Sequence, residues 1–224
     1  MKISSETTEV LKNFASINMS LLFNEGTKLR TVSPQKSVLA EANISESFPR
    51  KFAIFDLNQF LSTFQVFEDP DVDFDEKQLT VTNGSGGKAY ISYASPDNII
   101  VPPEKELTIP SADVTIMIKE RAMKNALHMA GILDLPEVAL VGKGSVVYLS
   151  AIDSRNRGSN KFETAVGETE DEFTLIFKVE NLKLLPRDYN VEVSSKGISR
   201  WDSSTGDVRY FVATETSSSF GIVP

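Results

Sequence analysis

There is no cysteine in these 224 residues and a single histidine, His128. Without thiols the chain has no disulfide, no thiolate metal ligand and no cysteine nucleophile. One imidazole cannot build a histidine-based metal centre by itself. No run approaches the ~18 apolar residues that a membrane-spanning helix needs. The first ten residues, MKISSETTEV, lack the apolar core of a secretory signal, so a cytoplasmic location is expected. Cations are also the minority, 23 Lys and Arg against 31 Asp and Glu, for a formal net charge of −8. That balance argues against a nucleic-acid binder coated in positive charge. It leaves open a protein that is acidic outside and basic along one lane, so the distribution of charge matters more than its total.

The distribution has a centre. Residues 120–131, ERAMKNALHMAG, have helical periodicity. Ala122, Met123, Ala126, Leu127 and Ala130 fall on one side, and Arg121, Lys124 and His128 on the other at i, i+3 and i+7. Gly131 is the expected stop. An acidic chain that gathers cations on one helix face has that face ready for an anion.

The rest of the chain places this helix in a repeat. A first helix is predicted from Ser4 or Ser5 to Ile17, with Val10, Leu11, Phe14 and Ile17 as its apolar stripe. Strand patterns follow at 20–23, 28–32, 38–44 and 52–55. Asp56 then caps a second helix carrying Leu57, Phe60, Leu61 and Phe64, and strands are predicted at 72–74, 79–82 and 89–93. The order recurs in the second half. Leu11-Lys12-Asn13 aligns with Met123-Lys124-Asn125 at an offset of 112, half the chain. Strands are predicted at 138–141, 146–152 and 172–179, a short fourth helix at 181–185, and strands at 189–193, 198–201 and 208–214. Glu180 stands where Asp56 stood, and the longer offset there reflects an expanded loop at 153–172. A tandem duplication follows, with domains at 1–95 and 113–224. The connector at 96–112 is held extended by Pro96, Pro102, Pro103 and Pro110.

Two motif near-misses are rejected. Residues 84–88, GSGGK, resemble a phosphate loop, but Thr82 and Ala89 break the pattern and the segment lies between strands, as a hairpin turn does. Asp69, Asp71, Asp73 and Asp75 resemble a calcium loop, but Phe74 and Thr80 occupy its glycine and terminal glutamate positions. Alternation with Val72 and Phe74 reads as a strand with an acidic face. No nucleophile–base pair or ligand set stands out, so no enzyme activity, cofactor or metal is expected.

The predicted helix faces offer Lys12, Arg121, Lys124 and Lys183, with Arg187 just beyond, against mainly Glu9. Acids collect instead at 68–76 and 163–172. Such segregation suits a surface that attracts phosphates without reading bases.

Three segments, TTEVLKNFASIN at 7–18, AEANIS at 40–45 and FAIFDLNQFL at 52–61, resemble the sliding clamps, or DNA polymerase processivity factors, of T-even-type phages. The connector at 97–109 followed by 114–119 adds to the likeness, which is collinear through the second half. The resemblance implies an α+β fold of two tandem similar domains. Antiparallel sheets lie outside and helices line the central hole of a closed ring of three chains. Duplex DNA threads the hole, an ATP-dependent clamp loader opens the ring, and the polymerase docks by a C-terminal peptide, all in an infected bacterial cell. Carried to this sequence, Lys12, Arg121, Lys124, His128, Lys183 and Arg187 would face DNA. Ile100, Val101, Leu107 and Ile109 would bind the partner peptide together with Phe220, Ile222 and Val223. Subunits would join through edge strands at Ala89, Tyr90, Ile91 and Tyr93 and at Phe162, Thr164 and Val166. The rival reading is a β-rich phage assembly or peptide-binding protein that does not encircle DNA.

Overall fold

The structure is a computed structural model, and it describes residues 1–221 apart from Gly84 and Arg157. Ile222 and Val223 therefore lie outside the described residues. Two compact units divide the chain, Met1–Lys105 and Glu106–Pro224.

The first unit runs α1 (Ser5–Ile17), β1 (Leu21–Phe23), β2 (Gly26–Val32), β3 (Val38–Phe48), β4 (Phe52–Ile54), α2 (Leu57–Val66), β5 (Asp71–Phe74), β6 (Gln78–Thr82) and β7 (Lys88–Ser92). Both helices start where the sequence places a cap. The Ser4 side chain accepts from Thr7 N at 3.1 Å, and Asp56 Oδ1 accepts from Gln59 N at 2.9 Å, each satisfying an otherwise orphan donor. The apolar stripe Val10, Leu11, Phe14 and Ile17 is buried. An aromatic cluster fills the unit: Phe23 stacks on Phe52 at 4.5 Å and meets Phe48 edge-on at 4.8 Å. Burying each such ring contributes about 1.5–3 kcal/mol.

The second unit runs β8 (Val114–Ile118), α3 (Glu120–Ile132), β9 (Glu137–Lys143), β10 (Val146–Ile152), β11 (Phe162–Glu168), β12 (Phe173–Lys178), β13 (Tyr189–Ser194), β14 (Ile198–Ser203), β15 (Val208–Ala213) and β16 (Ser219–Phe220). Its one tryptophan, Trp201, is fully buried and packs edge-on against Phe177 at 5.5 Å. Its indole N–H donates to Ser199 Oγ at 2.8 Å, so the buried polar atom is satisfied.

The strand pairing is written twice. In the first unit β1 pairs with β4, β2 with β3, and β5 with β6 and then β7, all antiparallel. In the second, β9 pairs with β12, β10 with β11, and β13 with β14 and then β15, again antiparallel. Even the lead-in repeats: β8 pairs with β13, while the Met1 ammonium donates to Val72 O on β5 at 2.8 Å and Val72 N returns a bond to Met1 O at 2.8 Å. A matched pairing pattern after matched helices is what duplication of one folding unit leaves behind.

Several expectations need correction. Gly131 does not stop α3, which continues to Ile132 with Leu133 as its C-cap; in this register the glycine is simply the twelfth helical residue. The fourth helix at 181–185 is absent. A single 3-10 turn at Val179–Asn181 gives way to irregular chain, because five residues ahead of Pro186 are too few to nucleate a helix and Leu185 is steered from helical backbone by that proline. Lys183 is therefore not on a helix, and Glu180 caps none. The edge strand expected around 162–166 within the expanded loop is present as β11, running on to Glu168, while the strand β8, not predicted on periodicity, precedes α3. The connector keeps one 3-10 turn, Pro96–Asn98, with proline in its first position, where a missing N–H costs nothing.

Candidate nucleic-acid interface and docking strand

The helix faces are built as the periodicity requires. On α1, Lys12 is exposed while its neighbour Leu11 is buried; on α3, Arg121, Lys124 and His128 are exposed while Met123, Ala126 and Ala130 are buried. The aligned triplets Leu11-Lys12-Asn13 and Met123-Lys124-Asn125 thus keep the same phase, buried and then exposed. The start of α3 is set from a distance. Its N-cap residue Lys119 makes no side-chain cap bond, and Asp188 substitutes: Oδ1 accepts from Glu120 N at 2.8 Å and Oδ2 from Lys119 Nζ at 2.9 Å. The Glu120 amide and then the Lys119 ammonium hold the Asp188 carboxyl below its ordinary pKa. A carboxylate at this terminus also complements the helix dipole.

Lys183 is exposed in the irregular segment. Arg187 is half-buried, with Nε 3.5 Å from Asp207 and Nη1 donating to Pro186 O at 2.9 Å, so its charge is partly committed within the chain. Two tyrosines pin this segment. Tyr189 Oη donates to Leu185 O at 2.8 Å, and Leu185 N donates to Tyr210 Oη at 3.1 Å. Burial pushes both phenols far above their ordinary pKa. Between this segment and α3 lies a cleft of about 440 Å³ touching Met123, Lys124, Leu127, Leu184 and Arg187.

On the connector, Ile100 and Val101 are 42% and 40% exposed, while Leu107 and Ile109 are half-buried. Among the exposed apolar residues of the first unit that sequence reasoning passed over are Met19 and Phe55, along with Val66 at the end of α2. Met19 O accepts from Leu57 N at 2.7 Å, and the adjacent Asn18 bonds to Ile100 O at 3.1 Å. The only sequence signal of Met19 and Phe55 was an apolar residue just outside each helix end. Phe220 is stacked on Phe173 at 6.0 Å and paired to it across β12 and β16.

The proposed edge residues divide. β7 is one of the two outer strands of the three-stranded sheet, opposite β5, and β11 is one of the two of the five-stranded sheet, opposite β16. On β7, Tyr90 is exposed and Ala89 and Ile91 half-buried. Tyr93 lies past the end of β7; its N–H bonds to Lys77 O at 3.0 Å and its ring rests 5.0 Å from Phe52, so its side chain serves the first unit's aromatic cluster. On β11 Phe162, Thr164, Val166 and Gly167 are half-buried, with Glu163 and Ala165 exposed between the first three. Phe162 packs against the cluster of Ala130, Leu135 and Ala151. Among the described residues no group of three or more acidic or histidine side chains is placed to hold a metal. Residues 71–74 form a strand, and where β6 and β7 pair as a hairpin, Gly87 N donates to Asn83 Oδ1 at 3.0 Å.

Known proteins place this architecture. Residues 4–101 match the family model described as DNA polymerase processivity factor, and residues 115–216 that of the gp45 sliding clamp, C terminal. A sliding clamp of Vibrio phage KVP40 is 32% identical over 96% of this chain and 99% of its own. The sliding clamp of Enterobacteria phage T4 is 27% identical over 97% and 98%. Among solved structures, PCNA of Thermococcus kodakaraensis superimposes with a TM-score of 0.69 at 13% identity, covering 94% of this chain and 96% of that one. The beta clamp of Helicobacter pylori bound to a DNA ligase peptide gives 0.71 at 12%, covering 96% and 65%. The doubled α+β unit, the cations on its exposed helix faces and the match along nearly the whole sequence have one meaning: the chain belongs to the phage sliding-clamp family of DNA polymerase processivity factors.

Proposed function

We propose that three copies of this chain close into a ring, with β7 of one copy meeting β11 of the next and the polar faces of α1 and α3 lining the hole. Duplex DNA passes through without being read. Lys12, Arg121, Lys124 and His128 form a weakly cationic lane inside an acidic ring, with Lys183 and Arg187 beside it. A lane of so few charges attracts phosphates without fixing a register, which lets the ring slide. The protein has no catalysis of its own; it works by topology, keeping a bound polymerase at the template in the cytoplasm of an infected bacterium. An ATP-dependent loader opens and closes the ring.

Partner peptides dock on the connector at Ile100, Val101, Leu107 and Ile109 and near Phe220. That a clamp of this fold takes up partner peptides is supported by one solved with the C-terminal region of FEN-1 and one with a DNA ligase peptide; the exposure of Ile100 and Val101 favours the connector as the place.

The observation that carries the reading is the repeated unit itself, which presents an exposed cation at the same phase of α1 and α3 in a chain of net charge −8. The test is topological. Protein loaded by the phage loader and ATP should stay on nicked circular DNA through gel filtration and run off once a restriction enzyme linearises the circle. Equal retention on both forms would show binding without encirclement, as the assembly-protein reading requires.

A further inference from the structure

After the turn at Pro96–Asn98 the chain crosses the first unit with no helix or strand of its own through residue 105. Pro102 and Pro103 remove two N–H donors, so this segment has little in its own backbone to fix its path. Two side chains fix it instead. Asn18, the C-cap of α1, is buried; its Nδ2 donates to Ile100 O at 3.1 Å and to Val32 O at 3.0 Å. Its Oδ1 accepts from Ser20 N at 3.0 Å and Ser20 Oγ at 3.1 Å, so both ends of the amide are in use. From β2, Arg30 donates through Nη1 to Pro103 O at 2.8 Å and through Nε to Glu41 Oε1 at 2.8 Å. Glu41 is only 8% exposed and has Lys28 Nζ 3.4 Å away as a second cation. The remaining nitrogen of the fork, Arg30 Nη2, is buried with no hydrogen-bond partner.

We propose that Asn18 and Arg30 form a two-point latch that fixes the connector backbone and presents Ile100 and Val101 as a ready-made docking strand for an apolar partner peptide. The two pinned carbonyls, at residues 100 and 103, are turned onto the body of the unit, while Ile100 and Val101 stay 42% and 40% exposed as residues. An extended strand fixed in advance loses less entropy when a peptide binds, so its affinity is higher. The latch is built for geometry rather than for tightest packing: it accepts the desolvation cost of Nη2 to keep a planar fork spanning Glu41 and Pro103. Lysine, a point charge, cannot span both. Because Asn18 also ends α1, the latch ties the DNA-facing helix to the docking strand. It rests on the reading of the connector as the docking strand.

The test uses the full-length protein and a fluorescein-labelled synthetic peptide of the C-terminal residues of the same phage's DNA polymerase. Arg30→Lys and Asn18→Asp are compared with wild type in peptide affinity and in the backbone order parameters of the Ile99, Ile100, Val101, Glu104 and Lys105 amides without peptide. If opening the latch leaves the docking conformation about one-tenth populated, affinity falls about tenfold, order parameters in 99–105 drop, and retention on circular DNA is kept. Arg30→Lys, at the edge of the unit, serves if Asn18→Asp compromises folding. Unchanged order parameters in the variants overturn the latch. Lower order with unchanged affinity, while Val101→Ser weakens binding, overturns the positioning role. Should Ile100→Ser and Val101→Ser also leave affinity unaltered, the docking-strand reading has failed, and the order parameters alone decide whether the latch exists.

Discussion

Single side chains decide how firmly the two units hold their helices. Glu46, on β3, collects donors at the start of α1. Its carboxylate accepts from Ser4 N and from Thr7 Oγ1, and from Ser45 Oγ at 2.9 Å. Burial alone would raise its pKa, but the bonds from Thr7, Ser4 and Ser45 outweigh it and bring the carboxyl from 4.5 to about 2. A depressed carboxyl stabilises the fold fully above the unfolded-state value, and that contribution is lost as pH falls from about 4.5 through about 2. Glu46→Gln should therefore cost about 1 kcal/mol at pH 7, once solvent screening is allowed for, with the gap closing toward pH 2. Urea midpoints at both pH values measure this; a gap that persists at low pH would assign the role to packing. Gly142 is a second such point. A Cβ there would sit 2.6 Å from the Phe173 ring and 2.7 Å from Asp171 O, a backbone oxygen in the bend just ahead of β12, so relief requires the chain itself to shift. Gly142→Ala should destabilise by about 1–3 kcal/mol, seen as a lower melting temperature.

At the scale of elements, α3 shows what the sequence could and could not convey. Its buried and exposed faces and its first residue were legible, because 3.6-residue periodicity is a local signal. Its last residue was not, since Gly131 stops a helix only in the left-handed conformation, and here it stays helical. The segment after Asn181 misled for a related reason. Leu182 and Leu185 are buried at helix-like spacing, yet Leu185 has its carbonyl bonded by the nearby Tyr189 on β13 and its N–H bonded to Tyr210 on β15, 25 residues away, which holds it in irregular chain. The exposure of Lys12, Arg121, Lys124 and His128 was legible from helical phase, whereas Lys183 was placed on a helix that is absent and Asp188 at the start of α3 was not foreseen, being brought there by the pairing of β8 with β13. Nor was the latch, whose parts lie 82 and 73 residues apart. The basic face of α3 makes its own prediction. Arg121→Glu with Lys124→Glu should leave assembly intact, because both side chains are exposed, and should lower processive synthesis several-fold. The salt slope of DNA loading should flatten by about 0.9 for each phosphate that is no longer neutralised. Unaltered synthesis at two salt concentrations would mean that this face meets only solvent.

At the scale of the whole molecule, a chain that presents two different sheet edges can join its copies head to tail, and such heterologous contacts close into a ring when the rotation per subunit allows. The charges on the two edges are complementary. β7 carries Lys88 and no acid, while β11 carries Glu163 and Glu168 and no base. Opposed charges across paired strands contribute about 0.2–1 kcal/mol each, and like charges reverse the sign. A closed ring multiplies the effect, since one substitution recurs at every subunit contact. In a three-membered ring Lys88→Glu should thus weaken assembly by roughly 1–3 kcal/mol in total, within reach of sedimentation over a dilution series. Adding Glu168→Lys to the same chain should restore the assembled mass, because the pairing is then charge-matched in the opposite sense. Recovery would place β7 against β11, whereas Lys88→Glu without effect, or a weakening that Glu168→Lys does not mend, would place the contact between other strands.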